Sequence, residues 1–127
     1  MDSDVSYIVH RPNHWIYEGT GLKRGDRFGG KDTIVGYECD GLPFATHQDG
    51  TPKTFEVLGT CPVRWHPDDV EWYEKWEIGR TGAACLGLYT NNGTVFTAAT
   101  TDWSHGLQGN DAHVVRITKN VLERLGR

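Results

Sequence analysis

Ala83-Ala84-Cys85-Leu86-Gly87-Leu88-Tyr89 runs into Thr90-Asn91-Asn92-Gly93 and out through Thr94-Val95-Phe96-Thr97-Ala98-Ala99. Two apolar runs flanking an Asn-Gly step predict a β-hairpin over about 83–99, because both turn residues tolerate left-handed backbone angles. Ala83, Ala84, Gly87, Ala98 and Ala99 are small. They imply that a helix or a second sheet packs closely on these strands.

Downstream, Val114, Ile117, Val121 and Leu125 follow one face of a helix over about 111–125, and Val115 and Leu122 broaden it. Asn110 or Asp111 is placed to cap its first turn, and Gly126 to end it. Upstream, Thr33-Ile34-Val35-Gly36-Tyr37-Glu38 reads as a strand rich in β-branched and aromatic residues, and Thr54-Phe55-Glu56-Val57-Leu58 as another. Gly19, Gly21, Gly25, Gly29, Gly30, Gly36 and Gly41 punctuate the first half with turns. His66-Pro67-Asp68-Asp69 could open a short helix carrying Trp72, Tyr73 and Trp76. The expected fold is α+β or α/β: a small mixed, largely antiparallel sheet with a C-terminal amphipathic helix.

At 127 residues the chain has room for one domain, 1–127, with residues 1–13 as an entry segment. It is 37% hydrophobic and 24% charged with a net charge of -4, which argues against disorder and against a general grip on nucleic acid. No apolar run approaches the roughly 20 residues that span a bilayer, so no membrane partner and a cytoplasmic location are expected. Cys39, Cys61 and Cys85 form no C-x-x-C pair and are read as reduced, mostly buried thiols.

Several stretches carry residue types used in chemistry. Asp102-Trp103-Ser104-His105 holds the members of a hydrolase triad, but neighbours in sequence diverge in direction, so Asp102 and Ser104 read as turn and cap formers. His47 with Asp49, and His66 with Asp68 and Asp69, offer one histidine each and read as solvated surface. Glu18-Gly19-Thr20-Gly21-Leu22 lacks both G-x-G-x-x-G order and a Walker lysine, and reads as a tight turn. Glu38 stands out as a carboxylate at the end of the first expected strand, a position that often faces a cleft. Trp15, Tyr17 and Tyr37 could line that cleft or simply fill the core.

Four stretches in order carry a family resemblance. They are Trp15-Ile16-Tyr17-Glu18-Gly19-Thr20-Gly21-Leu22 with Gly25-Asp26 and Phe28-Gly29-Gly30, and Val35-Gly36-Tyr37-Glu38-Cys39-Asp40-Gly41. Gly93 to Trp103 with Gly106-Leu107, and Ile117-Thr118-Lys119-Asn120-Val121-Leu122, complete the set. Together, over roughly residues 14–125, they resemble the C-terminal region of the N,N-dimethylformamidase large-subunit family. The resemblance implies the rear part of a domain similar to class I glutamine amidotransferases, in an enzyme that hydrolyses a small tertiary amide. It also implies an iron ion held by two tyrosines and a glutamate that lie upstream of the matched region. Tyr17, Tyr37 and Glu38 are therefore not that ligand set.

On this reading the chain holds no cofactor of its own, and iron enters only in a complex with a partner chain. Glu38 is the candidate catalytic carboxylate, and Trp15, Tyr17, Tyr37, Asp102 and Trp103 are candidate pocket-lining residues. The expected partners are the chain carrying the missing front portion, or a second copy, with a small amide as substrate. The alternative is a non-catalytic binding or assembly module that keeps the fold without the chemistry.

Overall fold

A computed structural model describes residues 2, 3, 5–42, 50–64 and 81–127. Among the described residues there are six strands: β1 (Asp2–Ser3), β2 (Tyr7–Val9), β3 (Arg27–Phe28), β4 (Glu56–Arg64), β5 (Thr81–Thr90) and β6 (Thr94–Thr97). Two helices follow, α1 (Trp103–Gln108) and α2 (Ala112–Leu125). The sheet order is β3-β2-β4-β5-β6, with β1 pairing β4 beyond β2. Every pairing among these strands is antiparallel, so the fold is a mixed α+β arrangement.

The hairpin forms where its sequence indicates. Thr90 pairs with Thr94, leaving Asn91-Asn92-Gly93 as the loop, and only Asn92 takes a left-handed backbone (φ 55°). The outgoing strand stops short of the expected end because Ala99 turns left-handed at φ 57° and takes the chain out of the sheet. The incoming strand β5 pairs with β4 from Thr81 to Leu88. The small residues serve two neighbours: Ala84 is buried in the cluster that holds Val114 and Ile117 of the C-terminal helix, whereas a Cβ on Gly87 would lie 2.5 Å from the Phe55 ring, so a loop side chain packs there.

The expected strand over 33–38 is not one. Thr33 is left-handed (φ 48°), and the Thr33 and Ile34 amides donate back to Gly30 and Gly29 of a preceding 3-10 turn, Gly30–Asp32. Ile34 and Val35 are successive residues and both are fully buried, a pattern that a half-exposed strand cannot produce. Their β-branched side chains plug the core, and high β-propensity records that burial as readily as a strand. Of this region only Cys39 bridges to another segment in strand fashion, to Thr100. The second expected strand begins at Glu56 and runs on to Arg64, with a register shift at Leu58. The expected helix after His66, and His47 and Asp49, lie outside the described residues.

Helix α2 behaves as its pattern indicates. The Asp111 carboxylate accepts from the His113 and Val114 amides at 3.0 Å each, a cap that contributes about 1 kcal/mol. Gly126 ends the helix, its amide donating to Leu122. Val114 and Ile117 are buried in one cluster with Tyr7, Val9, Ile16, Phe28, Leu58, Cys61 and Leu86, so α2 closes over one face of the sheet. Burial of a side chain such as Ile117 stabilises by about 2–3 kcal/mol. No helix among the described residues is long and apolar enough to cross a membrane.

Candidate functional site

Two irregular segments, 36–40 and 99–102, lie side by side at the end of the hairpin. The Asp40 amide donates to Ala99 O at 2.9 Å, and the Thr101 amide to Glu38 O at 3.0 Å. Asp40 O in turn accepts from the Cys85 amide at 2.9 Å, which ties the pair to β5. Asp102 locks the near end: its Oδ2 accepts from the Tyr37 amide at 2.9 Å. Gly36 is required beside it, since a Cβ there would sit 2.8 Å from that same oxygen. Asp102 precedes α1 but makes no side-chain cap to it, its carboxylate being engaged by Tyr37 instead.

The result is a bracket whose backbone is fixed while its side chains face outward. Tyr37 is 69% exposed, and Glu38 and Asp40 are exposed as well. Trp103 stands behind the bracket, with its indole N–H donating to the Thr118 hydroxyl at 2.9 Å and its rings set edge-on to Phe28 and Phe96. The structure thus brings together four of the residues singled out from sequence: Tyr37, Glu38, Asp102 and Trp103. It puts the other two elsewhere.

Trp15 and Tyr17 lie in a 3-10 turn, Trp15–Tyr17, beneath α2. Tyr17 is buried and its hydroxyl donates to Leu58 O at 2.6 Å, at the register shift of β4. Trp15 is half-buried, with the Arg124 guanidinium 5.3 Å from its ring centroid. The Glu18–Leu22 segment is the tight turn expected, with Gly19 and Gly21 both left-handed. Ser104 and His105 are exposed on successive positions of α1, about 100° apart around the helix, so they do not converge with Asp102 into a triad.

Residues that sequence reasoning passed over anchor this turn. Asn120 donates to Ile16 O and Glu18 O, Arg116 Nε donates to Glu18 O, and the His14 ring accepts from the Ile16 amide. One signal was available: Asn120 is a poor helix former placed three positions after Ile117, on the flank of the buried face.

Could these residues hold a metal? Among the described residues no three or more His, Cys, Asp or Glu side chains group closely enough to ligate an ion. The buried phenols Tyr7 and Tyr17 donate to backbone carbonyls of Ala98 and Leu58, and burial drives the pKa of each well above the ordinary tyrosine range. Both groups are therefore held as neutral donors, and a tyrosinate–iron centre does not fit them. None of the three cysteines forms a disulfide; Cys61 is buried, and Cys39 and Cys85 are partly so. Burial first, then the neighbouring Cys61 and Asp40, push the Cys39 thiol up to about 11; burial also raises Cys85.

Fold and bracket together define a small α+β protein that presents a carboxylate–tyrosine edge. Residues 1–116 match the family described as N,N-dimethylformamidase beta subunit-like, C-terminal, and the chain belongs to that family. No curated protein and no solved structure matches the chain.

Proposed function

We propose that this chain is part of a dimethylformamidase-like amide hydrolase, supplying scaffold and one wall of the pocket while a partner chain supplies the metal centre. Family membership supports the amidase theme, and the bracket is the observation that carries the role. An exposed carboxylate on a backbone pinned from both sides is pre-organised to face a small molecule or a second chain. In this reading Glu38 takes the proton of the water whose oxygen attacks the amide carbon, and returns it to the departing amine. Tyr37, Asp102 and Trp103 form the wall beside Glu38, while Trp15 and Tyr17, in the turn under α2, take no part in it. The finer resemblance, to a large subunit with a glutamine amidotransferase-like domain working in the cytoplasm, belongs to the same proposal.

Co-expression with a chain carrying the front portion of the family enzyme tests it. The expected result is a stable complex that binds iron and hydrolyses small amides, activity being absent from this chain alone. In the complex, Glu38→Gln should lower kcat by about tenfold or more while assembly is unchanged. Unchanged turnover would return Glu38 to a structural role, and failure of the two chains to associate would overturn the subunit reading. The second reading, a non-catalytic assembly module, rests on the 69% exposure of Tyr37, a large amphipathic side chain suited to a protein contact.

A further inference from the structure

His14 occupies an unusual position for a titratable side chain. It is the residue before the turn Trp15–Tyr17, and its Nδ1 accepts from the Ile16 amide at 3.2 Å. Its Nε2 lies 3.4 Å from Glu56 Oε2, and the other oxygen of that carboxylate is 3.0 Å from Arg11 Nη1. The His14 side chain is only 12% exposed, with the Trp15 ring centroid 5.3 Å away. This geometry specifies the neutral tautomer with hydrogen on Nε2. A second proton has one place to go, Nδ1, and there it removes the acceptor that Ile16 N–H uses.

We propose that His14 is a proton-operated latch on the docking of α2. Ile16 is fully buried, so an unpaired amide at that point is costly. The same turn presents Ile16 O and Glu18 O to Asn120, and Glu18 O to Arg116. Loosening the turn therefore loosens the hold on α2 directly. This stands apart from the amidase reading, since none of these residues belongs to the bracket.

The surroundings agree in direction. Burial lowers the His14 pKa, Glu56 on β4 opposes that, and Arg11 and Arg124 on α2 add to it; the net shift is downward. A group with a lowered folded-state pKa leaves the unfolded chain binding more protons, so stability rises with pH across its titration. The contribution is complete above the ordinary imidazole range near 6.5 and is lost as pH falls below it.

The test compares the full wild-type chain with His14→Asn, which keeps a side-chain acceptor at the cap but does not titrate. Between pH 7.5 and 5.5 the wild type should lose about 4 °C more in Tm than His14→Asn. In NMR titrations of the wild type, the Ile16 and Asn120 amide signals should move with the same midpoint as the His14 ring. Equal pH sensitivity in both proteins, or an Ile16 amide indifferent to His14 protonation, would overturn the latch. The wild-type titration decides the matter even if the variant fails to fold.

Discussion

The Asn120 carboxamide donates to two carbonyls at once, Ile16 O at 2.9 Å and Glu18 O at 2.8 Å, across more than a hundred residues of chain. Both carbonyls sit at the turn that the sheet leaves exposed to α2, so one side chain couples the chain's beginning to its end. Asn120→Ala removes both bonds and leaves the carbonyls short of a partner. The expected loss is about 2 kcal/mol of unfolding free energy, read from urea denaturation. A change below a few tenths would mean that water replaces Asn120 at no cost.

Gly29 and Gly21 both have left-handed backbones, at φ 82° and 72°, yet differ in surroundings. A Cβ on Gly29 would lie 2.1 Å from Ile34 Cδ1 in the core, whereas on Gly21 it would meet nothing within 4 Å. Gly21→Ala should therefore cost only the backbone term, about 1 kcal/mol. Gly29→Ala adds overpacking and should cost about 3 kcal/mol or more. Thermal melts of the two variants give the comparison, and similar losses would contradict the packing around Ile34.

Tyr7 and Tyr17 are held neutral by burial, Tyr7 additionally by the nearby thiols and Asp40. Because their folded-state pKa values are raised, their contribution is intact below the ordinary value near 10 and is lost as pH climbs past it. Phenolate absorbance at 295 nm and far-ultraviolet circular dichroism should change together above pH 10.

Cys39 should be a slow nucleophile. With its thiol pushed up to about 11, the thiolate fraction at pH 8 is about one in a thousand. Native protein should react with a disulfide reagent about a hundredfold more slowly than denatured chain, with Cys61 slower still because it is fully buried. Rapid labelling of Cys39 at pH 8 would show that the segment 36–40 opens readily.

The hairpin and α2 were legible because their signals are local. An Asn-Gly turn between apolar runs and an apolar stripe capped by Asp111 each specify an element within a dozen or so residues. The stretch 33–38 misled for the opposite reason: its β-branched residues report burial, and whether burial means strand or plug depends on what packs above it. The bracket was half legible. Tyr37, Glu38, Asp102 and Trp103 were noticed, but their assembly runs through the Tyr37 amide and the Thr101 amide, backbone groups that no side-chain pattern records.

Sequence alone determined the elements whose hydrogen bonds close over short distances, together with the family to which the chain belongs. Tertiary structure decided the partners of polar groups far apart along the chain. Tyr17 meets the irregularity in β4, His14 faces Glu56, and Asn120 reaches back to the turn before Gly19. The physical reason is that a buried polar group must find a partner wherever folding brings one, and that choice is made in space.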